Sequence, residues 1–294
     1  MINLRDALEE SSRRGTAIGH FNASDLLTIK AVFETARSIS SSGRQLPVII
    51  GASEGEREFI GAFEVADFIR FLRSHYGYPI FVNADHTHSL DRVKEAVAAG
   101  FDEILVDGSA LPIDANVALT REVVAYVRQE NSGIVVEGEI GSIGSGSVVR
   151  DSIPAGVALT LDTITKPEEA LEFVKATGVD MLAPAVGNVH GMLRDAPDPH
   201  LFIDRIKEIK KAIRIPMVLH GGSGTPDSDF VRAIDAGINI IHISTELRRA
   251  WRQGVEAGLR QFPNEVTPYK LLAPAYNEIG EVVANRLKLF NKLE

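Results

Sequence analysis

Residues able to do chemistry gather in three stretches of this chain, and each follows an apolar run. Asp85-His86-Thr-His88 comes after the run at 79–84, Asn188-Val-His190-Gly191 after 181–186, and His220-Gly-Gly-Ser-Gly224 after 216–219. A carboxylate and imidazoles where a buried strand runs out make poor core and good chemistry. The bland alternative for the first stretch is that Asp85 caps a helix and His86 is a satisfied polar residue. The chain has no cysteine, so any metal must use His, Asp or Glu, and a histidine cluster points to a zinc-like divalent ion. Three histidines would leave coordination positions open, which is the catalytic rather than the structural arrangement. More than three are on offer. His86, His190 and His220 each follow directly on a strand, and the last two lie beside glycines that let backbone approach closely.

The segment His220-Gly-Gly-Ser-Gly224-Thr-Pro226 is also a glycine turn between a strand and a helix. Its N–H groups can form an anion cradle, and Ser244-Thr245, at the end of the last strand, supplies hydroxyls beside it. Taken alone such a turn is a weak signal, because the same residues make a merely flexible loop.

The elements that must position these groups are legible in the hydropathy pattern. A short helix spans 3–14, with Leu4 and Leu8 on one face and Gly15 as its stop. Apolar strands are expected at 16–21, 47–51, 79–84, 103–107, 134–138, 181–186, 216–219 and 238–243. Helical segments fall near 25–41, 58–75, 90–99, 115–130, 167–177, 200–213, 226–236 and 246–260. Gly100, Gly178 and Gly237 each fit the left-handed position that ends a helix. Ser89 is a natural N-cap, Thr165-Lys-Pro-Glu168 reads as a capping box, and Thr225-Pro226 opens a helix. Strict alternation with mostly unbroken apolar strands implies a parallel sheet covered by helices. Eight such units predict one α/β domain over 1–294, a closed (β/α)₈ TIM barrel with a short N-terminal helix and a C-terminal helical extension at 273–289. The glycine-rich stretch 141–160 has no periodicity and reads as an active-site loop or a disordered one.

Reacting groups of such barrels sit at the C-terminal strand ends, and the loops after strands 7 and 8 hold phosphate. His20 and Asn22, Ser53, Asp85, His86 and His88, Asp107, Glu137 and Glu139, Asn188 and His190, His220 and His242 all fall there. Of the eight histidines only His75 and His200 lie elsewhere, and histidines that merely satisfy a core would not segregate this way. A net charge of −9 argues against a general nucleic-acid partner. No run has the length to span a bilayer and the start has no signal-peptide core, so a cytoplasmic location is expected.

The motifs, taken together and in order, carry a resemblance. Ile-Gly-His-Phe-Asn22, Pro-Val-Ile-Ile-Gly-Ala-Ser53-Glu-Gly, Asp85-His86, Val-Asp107-Gly-Ser, Val-Glu137-Gly-Glu139-Ile-Gly, Val-Gly-Asn-Val-His190-Gly191 and Val-Leu-His220-Gly-Gly-Ser223-Gly run across almost the whole chain. The sequence resembles the class II, metal-dependent ketose-bisphosphate aldolases, the fructose- and tagatose-bisphosphate enzymes.

That resemblance implies one catalytic Zn²⁺ on His86, His190 and His220, with Asp85 as the acid/base. It implies a second or displaced metal position at Asp107 and Glu139. Gly191, Gly221, Ser223, Ser244 and Thr245 would hold the phosphate of a dihydroxyacetone phosphate unit, with a monovalent cation (Na⁺ or K⁺) beside it. Asn22 and Ser53 match substrate-side positions, and His242 stands where the family carries a substrate-touching Asn. The family is usually a homodimer or homotetramer. Two further departures concern the distal half of the substrate. The acidic pair of the loop after strand 5 is reduced to Asp151, and Lys270 is the nearest cation where many relatives have an arginine.

The activity implied is aldol cleavage of a ketose 1,6-bisphosphate, foremost fructose 1,6-bisphosphate, to dihydroxyacetone phosphate and glyceraldehyde 3-phosphate. Tagatose 1,6-bisphosphate or another ketose 1-phosphate is the sister reading. A non-catalytic accessory subunit is opposed by the retained Asp85 and three histidines, and a metal-dependent hydrolase barrel by the absence of a His-x-His pair on strand 1. Schiff-base chemistry finds no lysine at a strand end.

Overall fold

Eight short strands hydrogen-bond in parallel and close on themselves. In the computed structural model, which describes residues 3–40, 44–144, 146–153 and 155–293, they are β1 (Ile18–Asn22), β2 (Val48–Ala52), β3 (Ile80–Thr87), β4 (Glu103–Val106), β5 (Val135–Ile140), β6 (Met181–Pro184), β7 (Met217–Leu219) and β8 (Ile238–Ile243). Each strand pairs with its neighbours in the chain, and β1 returns to β8 with His20 opposite His242. At least one helix follows every strand. The chain is a TIM barrel, as the alternation predicts.

Side-chain alternation splits the apolar residues into two cores. Outward-facing residues such as Phe21, Ile50, Val82 and Ile241 pack beneath the ring of helices. Inward-facing Ile18, Ile49, Phe81, Val135, Met181, Val218 and Ile240 form a lower tier inside the barrel, and Leu4, Ala7 and Leu8 of the first helix plug it from below. That helix (Leu4–Arg14) is fixed at its start by a reciprocal capping box between Asn3 and Asp6. Two residues further up, the interior turns polar on every strand but β2 and β6, which carry Gly51 and Ala183 there. His20, Asn83, Glu137, His220 and His242 occupy this middle tier with Glu103, all buried. Asn22, Asp85 and Glu139 lie above them.

The helix stops at Gly100, Gly178 and Gly237 are left-handed, with φ of 84°, 73° and 116°. Ser89 accepts from the Arg92 N–H as the N-cap of Leu90–Ala99. Four expectations shift. The helix expected at 58–75 is two, Glu54–Ile60 and Ala62–Tyr76, broken at Gly61. Residue 41, the expected end of the helix Leu26–Ile39, lies outside the described residues. Thr165 does not cap its helix. Glu169 closes back on the Lys166 N–H, and the Thr165 hydroxyl instead donates to the Ile140 carbonyl and accepts from the Ala185 N–H, bridging two strand ends. The stretch 141–160, whose Ser145 and Pro154 lie outside the described residues, contains a two-residue strand. Val149–Arg150 pairs in parallel with Met192–Leu193, while Ile143 and Ala158 pack on Ile164 and Ala185. The tail forms a short helix at Pro268–Leu271 and a long one at Ala273–Phe290.

Candidate active site

Asp85 and His86 are consecutive, and in a regular strand they would face opposite sides of the sheet. Here the register of β3 against β4 slips between Ala84 and Thr87, and His86 has a φ of 44°. The bulge brings both side chains to the mouth of the barrel. A non-glycine residue held in that region costs about 1–3 kcal/mol, so the surrounding structure must impose it.

His86 meets two other imidazoles there. Ring centroids lie 4.9 Å apart for His86–His190, 5.1 Å for His86–His220 and 5.9 Å for His190–His220. One donor atom from each of these three and one from Glu139 all fall within 4.8 Å of one another. The outer nitrogens are already oriented. His86 Nδ1 bonds to Asp107 at 2.7 Å and His220 Nε2 to Glu137 at 2.9 Å, which leaves His86 Nε2 and His220 Nδ1 for an ion. His220 Nδ1 and Glu139 Oε2 are buried without a hydrogen-bond partner. Asn188 donates to the His220 carbonyl and accepts from the Val186 N–H, fixing the loop that carries His190. This donor set fits a divalent metal.

Electrostatics agree with the geometry. Burial opposes a charge on His86, but Asp85, Asp107 and Glu139 outweigh it and raise its imidazole to about 10. The carboxylates thus favour a positive charge at that point. Burial alone would push Asp85 up, yet His86, His20, His220 and the Asn22 hydrogen bond hold it below the usual carboxylate range. Asn22 donates to Asp85 Oδ2 at 2.8 Å, and Oδ1 has no partner. His190, His220 and His242 are kept neutral, chiefly by burial. Burial and Asp107 raise Glu139 to about 7. Beneath it burial pushes Glu137 up to about 8, and burial with the neighbouring Glu137 raises Glu103.

A second trio, His20, Asp85 and His242, also brings donor atoms within 4.8 Å. The His20 and His242 rings are stacked, with centroids 3.4 Å apart and planes 6° from parallel. Parallel rings send their in-plane lone pairs side by side rather than to one point, so this is a stack and not a ligand set. His20 is fully buried, bonds to Asn83 at 3.3 Å and is lowered to about 4 by burial. A Cβ on Gly51 would sit 2.1 Å from the His20 ring, so the imidazole occupies space that any other residue 51 needs. His88, by contrast, is exposed at the rim.

Asn22, Asp85, His86, His190, Gly191, His220, Gly221, Ser223, His242, Ser244 and Thr245 line one pocket, so strand-end reasoning and the structure select the same neighbourhood. The glycines are needed for close approach. Gly221 (φ 61°) and Gly191 (φ 91°) would place a Cβ 2.3 Å from the Val189 carbonyl and 2.5 Å from the Val148 carbonyl. The anion cradle is narrower than expected. The N–H groups of Gly222 and Gly224 are engaged by the His242 carbonyl and the Glu246 carboxylate. What remains is Gly221, Ser223, the buried and unpartnered Ser244 hydroxyl and the start of the helix Thr245–Gln261. Ser223 Oγ accepts from the Ser244 and Glu246 N–H groups, which leaves its own hydrogen to donate.

A larger cleft of about 510 Å³ adjoins this pocket, lined by Ser53, His88, Asp107, Arg248 and residues 142–144, 146 and 147. Among the described residues, no lysine lines either cavity. Ser53 is also the N-cap residue of the helix Glu54–Ile60, its N–H and hydroxyl both donating to Glu56. Asp151 pairs with Arg194 and Lys270 with Glu265, and neither lines this pocket or the adjoining cleft. Arg248, which sequence reasoning missed, reaches the cleft and is held by Glu56 at 2.7 Å. Its signal was its place in the first turn of the helix after Ser244-Thr245.

A family model for class-II fructose-bisphosphate aldolase matches residues 2–294. A probable fructose-bisphosphate aldolase of Bacillus subtilis is 33% identical over 293 residues, covering 99% of this chain and 97% of the relative. A 6-phospho-5-dehydro-2-deoxy-D-gluconate aldolase of Bacillus licheniformis is 32% identical over 292 residues, covering 98% and 94%. Among solved structures, the YdjI aldolase of Escherichia coli K12 superposes with a TM-score of 0.79 at 26% identity, covering 99% of this chain and 97% of that one.

Proposed function

Since the chain belongs to the class-II fructose-bisphosphate aldolase family, a family of lyases, we propose that it cleaves and re-forms a ketose 1,6-bisphosphate, foremost fructose 1,6-bisphosphate, yielding dihydroxyacetone phosphate and glyceraldehyde 3-phosphate. The observation that carries this reading is the meeting of three imidazoles and Glu139 beside Asp85, one wall away from the glycine and hydroxyl cradle.

His86, His190 and His220 would hold a zinc ion, with Glu139 and Asp107 as the second or displaced position. Such an ion supplies Lewis-acid stabilisation of the negative charge left on the ketone fragment. Asp85, ionised and with Oδ1 unpartnered, would take the hydroxyl proton as the carbon–carbon bond breaks and return it in condensation. Asn22 orients that carboxylate through Oδ2. Gly191, Gly221, Ser223, Ser244 and Thr245 would fix the near phosphate, with a sodium or potassium ion beside it. That anchor sets the reacting bond against Asp85. His242, its Nδ1 3.6 Å from Asp85 Oδ1, would face the substrate hydroxyls. Ser53 and Arg248 line the cleft where the distal half would lie, and Arg248 is the cation we assign to a distal phosphate.

Among the described residues no helix is long and apolar enough to cross a membrane, which is consistent with a cytoplasmic enzyme. Phe59 and Phe63, exposed on adjoining helices, would be covered in a homodimer or homotetramer.

The test is cleavage of fructose 1,6-bisphosphate by zinc-loaded and chelator-treated protein, beside Asp85→Ala. Activity should vanish with chelator, return with zinc and collapse in the variant. The Bacillus licheniformis relative is a second reason to run other substrates in parallel, namely tagatose 1,6-bisphosphate, 6-phospho-5-dehydro-2-deoxygluconate and a ketose 1-phosphate without a distal phosphate. Turnover confined to one of these would replace the fructose assignment, and zinc binding with no turnover of any would favour the accessory-subunit reading.

A further inference from the structure

The bulge that turns Asp85 and His86 to one side has an identifiable clamp. Arg57 lies on the short helix Glu54–Ile60 that follows β2, and only 1% of its surface is exposed. A buried guanidinium with no carboxylate bonded to it is unusual, since charge is normally buried only when paired. Every acceptor it finds is at the ends of two strands. Nη1 donates to the Ala52 carbonyl of β2 at 2.8 Å and to the Asp85 carbonyl at 3.3 Å, and Nη2 donates to the Thr87 hydroxyl at 3.2 Å. Thr87 passes the link on by donating to the Ala84 carbonyl at 3.0 Å. The guanidinium therefore grips residues before and after His86, the one with a φ of 44°. It does so where the β3–β4 ladder is interrupted, so it supplies a donor that a neighbouring strand does not. The same helix holds the next residue as well, because Glu54 accepts from the His88 N–H at 2.9 Å.

We propose that Arg57 is a positioning residue that keeps β3 in the bulged form, so that the Asp85 carboxylate and the His86 imidazole point at the same metal and substrate. The inference rests on the reading of Asp85 and His86 given above. Its logic is geometric. Released from the guanidinium, residues 84–87 can relax toward a regular strand, which rotates one of the two side chains away from the site. Arg57 lines neither of the two cavities, so its effect passes through the aim of those two groups.

Arg57→Met keeps the stem and removes the donors. Arg57→Lys keeps a charge whose compact ammonium cannot span three acceptors as a planar fork does. Zinc affinity is measured by competition with a chromogenic chelator, together with kcat and KM for fructose 1,6-bisphosphate and the melting temperature of the chelated protein. For Arg57→Met we expect zinc affinity and kcat each to fall about 10–100-fold, with KM within about twofold because the phosphate cradle is untouched, and Arg57→Lys to lie between. Guanidinium ion added to Arg57→Ala should restore part of kcat. A Met variant that melts lower yet keeps wild-type zinc affinity and kcat would overturn the proposal, leaving Arg57 a packing residue. If Arg57→Met does not fold, Arg57→Lys decides on the same readouts, with wild-type values again overturning it. Wild-type protein that neither binds zinc nor cleaves any ketose phosphate would instead overturn the underlying reading, and this inference with it.

Discussion

The lower and upper halves of the barrel interior are built from the same strands and answer opposite demands. Below, Ile18, Ile49, Phe81, Val135, Met181, Val218 and Ile240 close against the first helix with no polar atom among their side chains. Above, the next inward positions carry His20, Asn83, Glu137, His220 and His242, with Asp85 one tier higher, and several of their atoms have no partner. Each such atom costs on the order of 1–3 kcal/mol, whereas each large apolar side chain below contributes about 1.5–3 kcal/mol. A step of two residues along one strand thus separates stability from chemistry. The apolar half is what allows the polar half to stay unsatisfied until a ligand arrives.

The sharpest test of that division pairs one change from each half. Asp85→Asn keeps the shape and the bond from Asn22, and cleavage should fall about 10²–10⁴-fold while circular dichroism shows the fold intact. Phe81→Ala should cost about 3–5 kcal/mol in denaturant melts, with kcat per folded molecule unchanged. A Phe81→Ala protein that is stable but inactive would break the comparison. Glu137→Gln comes next. It weakens the acceptor that orients His220, and zinc affinity should drop about 10–100-fold in the same chelator competition.

The pH response should also differ with metal. Glu139, Glu137 and His86 are raised to about 7, 8 and 10, above their ordinary values of 4.5, 4.5 and 6.5. Between those limits the folded chain holds protons that the unfolded chain has shed, so stability present below the lower value is lost as pH rises through the upper. His20, His190, His220 and His242 are lowered and act in the opposite sense, but only below 6.5. Chelated protein should therefore melt at progressively lower temperature from pH 6.5 to 10. The stabilisation added by zinc should grow over the same range, because binding releases those protons. The smallest effect is Glu103→Gln, a carboxyl that burial keeps protonated. It should change stability at neutral pH by no more than about 1 kcal/mol and flatten the alkaline decline.

The alternation of apolar runs and helix punctuation was enough to count eight units, and counting them placed Asp85, His86, His190 and His220 at one end. That worked because strand ends in a parallel barrel are positions along the chain, readable one segment at a time. The bulge at His86 was not legible, since its positive φ is imposed by Arg57 from a different segment. The shift of the capping box from Thr165 to Lys166 is of the same kind, because the Thr165 hydroxyl is claimed by Ile140 and Ala185. Glu137 looked like a strand-end group beside Glu139, but alternation puts it one tier lower than Glu139, where it bonds to His220. Arg248 was hidden by its helix. Whether an arginine in a first turn reaches a cleft depends on the Glu56 that holds it.

The crowding of Gly51 by the His20 ring constrains how this barrel could have changed over time. Any side chain at position 51 requires a small residue at 20, and an imidazole at 20 requires glycine at 51. Of the two single-step routes between those states, only the one that first empties position 51 avoids a collision. From a barrel with a side chain at 51, an imidazole at 20 is therefore reached only after, or together with, the change to glycine. In related sequences the two positions should covary, with glycine at 51 tolerated beside a small residue at 20 but every bulky residue at 20 accompanied by it.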